Sequence, residues 1–223
     1  MIRQDDIEKY RQRLTREGWA CDIDNTVSAT SEAFFGRIDE RFPRPEGDEN
    51  LSIRDMIRKY THPSGVPTWQ SPEAVRTRKE VIADPKFYRE LPAIEGAAET
   101  VRRFLDALPF AAYITARPDA VAEATSAWLD GVFPTLPVIT KPGEVDPSQN
   151  NEWKARLLER LYPAIRGIID DDPRLVKHLS PEYEGRVIIF GASEVEHDHV
   201  EAYACPTWDD VEEKLEELTA SST

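Results

Sequence analysis

Cysteine is nearly absent from this chain, with only Cys21 and Cys205. Cys21 lies in an apolar run read as a buried strand, so a disulfide scaffold is excluded and a reducing cytoplasm fits. No apolar run is long enough to span a bilayer, so no membrane partner is expected. The N-terminus, MIRQDDIEKY, has no apolar stretch of the secretory kind. These absences lead to the expectation of a cytoplasmic protein.

Positive charge is also short. Lysine and arginine number 28 against 42 acids, for a net charge of -14. Nucleic-acid binding draws on a basic patch that releases counterions, and no such cluster stands out. A long polyanion is therefore a poor partner. A small phosphorylated substrate remains compatible, because a local site can be positive on an acidic protein. Composition does not speak to oligomeric state.

Strand signals are missing between Val27 and Leu91. Breakers crowd that stretch at Pro43, Pro45, Gly47, Pro63, Gly65, Pro67 and Pro72. Short helical patches appear at 32–42, 53–60 and 72–82. Residues 28–91 are read as a small helical cap inserted into a core made of 1–27 and 92–223. The core alternates. A helix over 4–16 precedes a strand at 19–23. Further strands fall at 110–114, 137–139, 168–169, 187–190 and 202–205, with helices between them and a closing helix at 208–218. This predicts an α/β fold, a Rossmann-like parallel sheet with helices on both faces.

The stretch that organises the chain is Cys21-Asp22-Ile23-Asp24-Asn25-Thr26-Val27. Two aspartates stand two residues apart at the end of the first strand. In an open parallel sheet the ligand crevice lies at the carboxyl ends of the strands. Carboxylates crowded there repel unless a cation or shared proton relieves them, and magnesium takes oxygen ligands. A second strand ends in Thr115-Ala116-Arg117-Pro118. Its hydroxyl and backbone amides suit a phosphoryl oxygen. Arg117 has two open readings, a contact to substrate phosphate or a pair with a surface carboxylate. A fourth strand ends in Asp170-Asp171-Asp172, with Pro173 after it. An acid run at the end of an apolar strand is costly without a cation. Asp172 is read as a helix cap ahead of Pro173.

The pattern Asp-x-Asp-x-Thr, followed in order by a strand-end threonine, a lysine and an acid pair, resembles the haloacid dehalogenase (HAD) superfamily. The resemblance covers 17–27 and 92–212. It implies a magnesium-dependent phosphatase in which Asp22 is the nucleophile and forms an aspartyl phosphate. It makes Asp24 the general acid/base, with its backbone carbonyl as a metal ligand. Thr26, Thr115 and Ala116 would contact phosphate. Asp171 would ligate magnesium directly, and Asp170 directly or through water. The phosphate-binding lysine has two candidates, Lys154 and Lys141.

The TARP segment with Thr125 to Leu129 is similar to the phosphatase part of polynucleotide kinase-phosphatases, which favours Lys154. The cap, with Ala33-Phe34-Phe35 and DPKFYRELP at 84–92, resembles the 5'(3')-deoxyribonucleotidases. Nucleotides are the substrates this implies. Phe34, Phe35 and Trp69 would either stack on a base or form the cap's own core. The alternatives are a nucleic-acid end-processing phosphatase, opposed by the charge, and a silent HAD-fold binding protein, opposed by the intact acids.

Overall fold

The structure, a computed structural model, describes residues 2–105, 107–196 and 199–220. It opens with α1 (Gln4–Arg13) and β1 (Gly18–Cys21). Four helices follow: α2 (Thr30–Asp39), α3 (Ile53–Tyr60), α4 (Pro72–Ala83) and α5 (Pro85–Arg89). Then come α6 (Ala97–Arg103), β2 (Phe110–Pro118), α7 (Ala122–Val132) and β3 (Val138–Lys141). The chain ends with α8 (Asn150–Leu161), β4 (Ile165–Asp170), β5 (Arg186–Phe190), β6 (Glu201–Cys205) and α9 (Trp208–Ala220).

The six strands form one sheet in the order β3-β2-β1-β4-β5-β6. Every neighbouring pair is parallel. Consecutive strands thus step outward from β1 on one side, and the order reverses between β1 and β4. That reversal is where open α/β sheets form a crevice. All four residues of β1 are buried, as a central strand covered on both faces must be. Gly18 is required by close approach, since a Cβ there would collide with the Pro109 carbonyl.

Strand residues alternate between two apolar layers, because side chains on a strand alternate faces. Trp19, Cys21, Tyr113 and Ile169 face the layer that holds α6, α7 and α9. Ala20, Ala112, Ile114 and Ile168 face the layer that holds α1 and α8.

The stretch from Thr30 to Arg89 contains helices and short 3-10 turns but no strand among the described residues. Its two linkers pair at the base. The Ala29 N–H donates to Pro92 O at 2.9 Å, and the Ile94 N–H to Val27 O at 2.9 Å. The insertion is not a sealed lobe. Phe35, Met56 and Trp69 belong to the same apolar cluster as Trp19 and Val101.

Candidate active site

β1 delivers Asp22 to the crevice. The Asp22 N–H donates to Ile169 O at 2.8 Å, which ties it to β4. The chain then reverses at Asn25, which has φ 60. Asparagine tolerates this left-handed region better than other residues with a Cβ. The Asn25 N–H donates to Ser28 O, and its Oδ1 accepts from the Ser31 N–H, both at 2.8 Å. The loop carrying both aspartates is thereby closed.

Lys154 projects from α8 into the same place. Its Nζ donates to Asp22 Oδ1 at 2.7 Å and to Asp170 Oδ2 at 2.6 Å. Thr26 Oγ1 donates to Asp22 Oδ2 at 3.2 Å. Asp170 Oδ1 accepts from the Asp172 N–H at 2.9 Å. Asp171 completes the group. Asp22, Asp170 and Asp171 each offer an oxygen, and these lie within 4.8 Å of one another.

Three carboxylates face one ammonium. Burial pushes the Asp22 carboxyl up to about 7, with Asp170 and Asp24 adding to the effect and Lys154 opposing it. Burial, then Asp170 and Asp22, push Asp171 well above the ordinary carboxylate range. Burial disfavours the Lys154 charge, but Asp170 and Asp22 overcome it and raise that lysine. Ionised together, these carboxylates would outnumber the single charge of Lys154, and they present oxygens alone. A hard divalent cation fits this donor set. Asp22, Asp170 and Asp171 would hold it. The Asp24 carboxylate lies outside that group, and the resemblance assigns only its backbone carbonyl to the metal.

Asp24 is held differently. Arg117 Nε lies 3.0 and 3.1 Å from its two oxygens, and Nη2 lies 2.7 Å from Oδ1. Thr30 Oγ1 donates to it at 2.6 Å and Thr115 Oγ1 at 3.3 Å. Burial acts to raise this carboxyl, but Arg117 and Thr30 outweigh it and hold Asp24 below its ordinary value.

Arg117 is itself 3% exposed. It donates further to Thr125 Oγ1 at 3.2 Å and Ser28 Oγ at 3.1 Å. Tyr88 stacks on its guanidinium at 4.7 Å. The Arg117 expectation is therefore corrected on both counts. The side chain neither reaches outward for substrate phosphate nor pairs at the surface; it is a buried clamp on Asp24. β2 runs on through Pro118 with a register break after Thr115, so TARP lies within the strand's end rather than beyond it.

These groups sit at the floor of an open cavity of about 1310 Å³. Asp22, Asp24, Ala116, Lys154, Asp170 and Asp171 all line it. Lys141 does not. Its Nζ donates to Val145 O at 2.5 Å, under the loop after β3. Of the two lysines, the structure brings only Lys154 to the aspartates.

Of the two readings of Phe34, Phe35 and Trp69, base stacking is corrected and core is what the structure shows. They are 7%, 0% and 0% exposed, and none lines the cavity. Phe35 packs on Trp69 with centroids 5.8 Å apart. They are core, because a small helical insertion must bury its rings somewhere. The aromatic rings that do line the cavity are His62 and Phe190. Neither emerged from the sequence, nor did Ser28, Thr30 and Tyr88 around Arg117. The polar spacing Ser28-x-Thr30 after the aspartates was the available signal.

No protein-family profile and no curated protein matches this chain. Solved structures do. A putative phosphoglycolate phosphatase from Lactobacillus delbrueckii subsp. bulgaricus superposes with TM-score 0.56 at 14% identity, covering 90% of this chain and 99% of its own. A HAD-superfamily hydrolase of subfamily IA from Geobacter sulfurreducens gives TM-score 0.51 at 17% identity, covering 91% and 97%. A dehalogenase crystallised with an intermediate gives 0.53 at 12%, covering 88% and 96%. The fold is that of the HAD superfamily. In this HAD fold the acids and Lys154 occupy the carboxyl ends of β1 and β4 and the start of α8, around the point where strand order reverses.

Proposed function

We propose that this protein is a magnesium-dependent phosphomonoesterase that works through an aspartyl phosphate on Asp22. One observation carries the reading. Lys154 bridges Asp22 and Asp170 at the floor of an open cavity, with Asp171 adding a third oxygen. The HAD fold, shared with phosphatases and hydrolases, agrees with it.

Asp22 is buried but lines the cavity, so a phosphorus atom can approach its carboxylate. Lys154 and Thr26 fix that carboxylate's orientation, which lowers the entropic cost of attack. Attack forms the Asp22–phosphorus bond and breaks the bond to the leaving oxygen. Lys154, beside Asp22, offsets charge on the transferring group. Magnesium, when bound by Asp22, Asp170 and Asp171, supplies further positive charge and alignment there. Asp24 gives a proton to the leaving oxygen, then takes one from the water that hydrolyses the aspartyl phosphate. Arg117 keeps Asp24 aimed, and its hold favours the ionised form that the second step needs.

Hydrolysis of a generic aryl phosphate with magnesium tests the reading. Turnover is expected from the native protein, and none from Asp22→Asn, because an amide is not a nucleophile here. Near-native activity in that variant removes Asp22 from the mechanism.

A further inference from the structure

Above the floor, the cavity walls differ from the catalytic groups. The helical insertion contributes Ser31, Glu32, Arg54, Ile57, Thr61 and His62 to one wall. The wall cations are already paired. Arg54 Nε lies 2.6 Å from Glu32, and Arg174 Nη2 lies 2.6 Å from Asp172. With Lys154 held at the floor, no described lining cation lacks a carboxylate partner. Glu95 adds an acid to the lining. A leaving group with its own negative charge would meet Glu95 there and would have to displace Glu32 from Arg54 or Asp172 from Arg174 to gain a cation.

What the wall does offer is neutral hydrogen bonding. Ser31, Thr61, Ser148, Asn150 and Asn151 line the cavity, with Ser148 already donating to Asp146 and Asn151 to Asp172. His62 is the most specific of these groups. The Ser64 N–H donates to its Nδ1 at 3.1 Å, so a neutral ring carries its proton on Nε2. Packing at the cap and the nearby Arg78 lower this imidazole from its ordinary value, which keeps the ring neutral at pH 7. Its backbone approach is strained. Thr61, just before it, has φ 61 and ψ -41 at the end of α3, and a β-branched residue seldom adopts positive φ. Such outliers persist where the surroundings hold them, often beside ligands.

We propose that this wall selects phosphomonoesters whose leaving alcohol is uncharged and rich in hydrogen-bond acceptors, with His62 Nε2–H donating to it. The inference rests on the phosphomonoesterase reading of the same site. Sugars and nucleosides share this leaving-group chemistry, and a substrate panel separates them.

The test is kcat/KM with magnesium for three sets of esters. The uncharged set is glucose, glycerol and nucleoside monophosphates. The anionic set is phosphoglycolate, phosphoglycerate and nucleoside bisphosphates. Phosphoethanolamine represents a cationic leaving group. A generic aryl phosphate reports the chemistry alone.

At least one uncharged ester is expected to exceed every charged one by roughly tenfold, as one unfavourable charge encounter costs that much or more. His62→Ala is expected to lower kcat/KM for the best uncharged ester about fivefold, mainly through KM, as loss of one hydrogen bond would. His62→Gln keeps an N–H donor and should recover most of it. Preference for an anionic or cationic leaving group, with the aryl ester turned over, overturns this inference alone. An unchanged His62→Ala removes His62 from it. Failure to hydrolyse any ester, the aryl phosphate included, overturns the phosphomonoesterase reading beneath it.

Discussion

Arg117 and Lys154 are two buried cations with different tasks. Lys154 answers three clustered acids, whereas Arg117 grips one. Removing Lys154 leaves Asp22 and Asp170 without their ion-pair partner. Lys154→Ala should cost about 3–5 kcal/mol at pH 8, the usual penalty for breaking a buried pair. The loss should shrink at pH 5, where Asp22, raised to about 7, takes up a proton and the repulsion falls. Denaturant titration at both pH values checks this; equal losses contradict it.

For Arg117, the depressed Asp24 carboxyl predicts a pH effect on chemistry. The fraction of Asp24 able to give a proton falls as pH rises through its lowered value. Esters of ordinary alcohols should therefore lose rate on that acidic limb, while aryl esters with good leaving groups should not. Arg117→Ala frees Asp24 to titrate at higher pH, so its limb moves upward. Full pH–rate profiles for both ester types are the measurement, and a limb that stays in place contradicts the assignment. Asp22, Asp24, Lys154 and the acid run were legible in the sequence because each stands at a strand end or in a helix. The Arg117 clamp was not, since its partner lies 93 positions away and nothing local distinguishes a buried arginine from a surface one.

The elements were read more completely than their edges. The prediction found all six strands, because parallel strands buried on both faces form continuous apolar runs. β4 begins at Ile165, three residues before the predicted start, because Arg166 faces solvent and interrupts the run. α5 went unread. Five residues opened by a proline give no periodicity to detect.

The insertion's helices were visible, but its rings were ambiguous, since stacking surface and core draw on the same residues. Phe35 resolves this by its complete burial against Trp69. Phe35→Ala should lose about 3–5 kcal/mol through the cavity it leaves. Its ranking of substrates should stay that of the native protein. Thermal melts and a substrate panel on one preparation test both halves; a changed ranking without lost stability would restore Phe35 to the binding surface.

At the scale of the molecule, charge is the dominant feature, with a net charge of -14 and the acids of the site adding a local excess. Without metal, Asp22 binds its proton more tightly folded than unfolded. Its contribution to stability is therefore lost as pH rises from the ordinary carboxylate range near 4 to about 7. A divalent cation needs the ionised acids, so it reverses that loss. Magnesium at ~100 times its Kd should raise Tm by roughly 5–10 °C at pH 8. The rise should be much smaller at pH 5, where protons compete for Asp22 and Asp171. A rise that does not depend on pH would place the ion elsewhere.

The central claim, that Asp22 carries the phosphoryl group, has a direct measurement. The native protein is mixed with magnesium and a phosphate ester labelled on phosphorus, quenched in acid within the first turnover, and mapped by peptide. The account predicts acid-stable label on the peptide containing Asp22, and none in Asp22→Asn. Turnover with no label on the protein, or label on another residue, would contradict it.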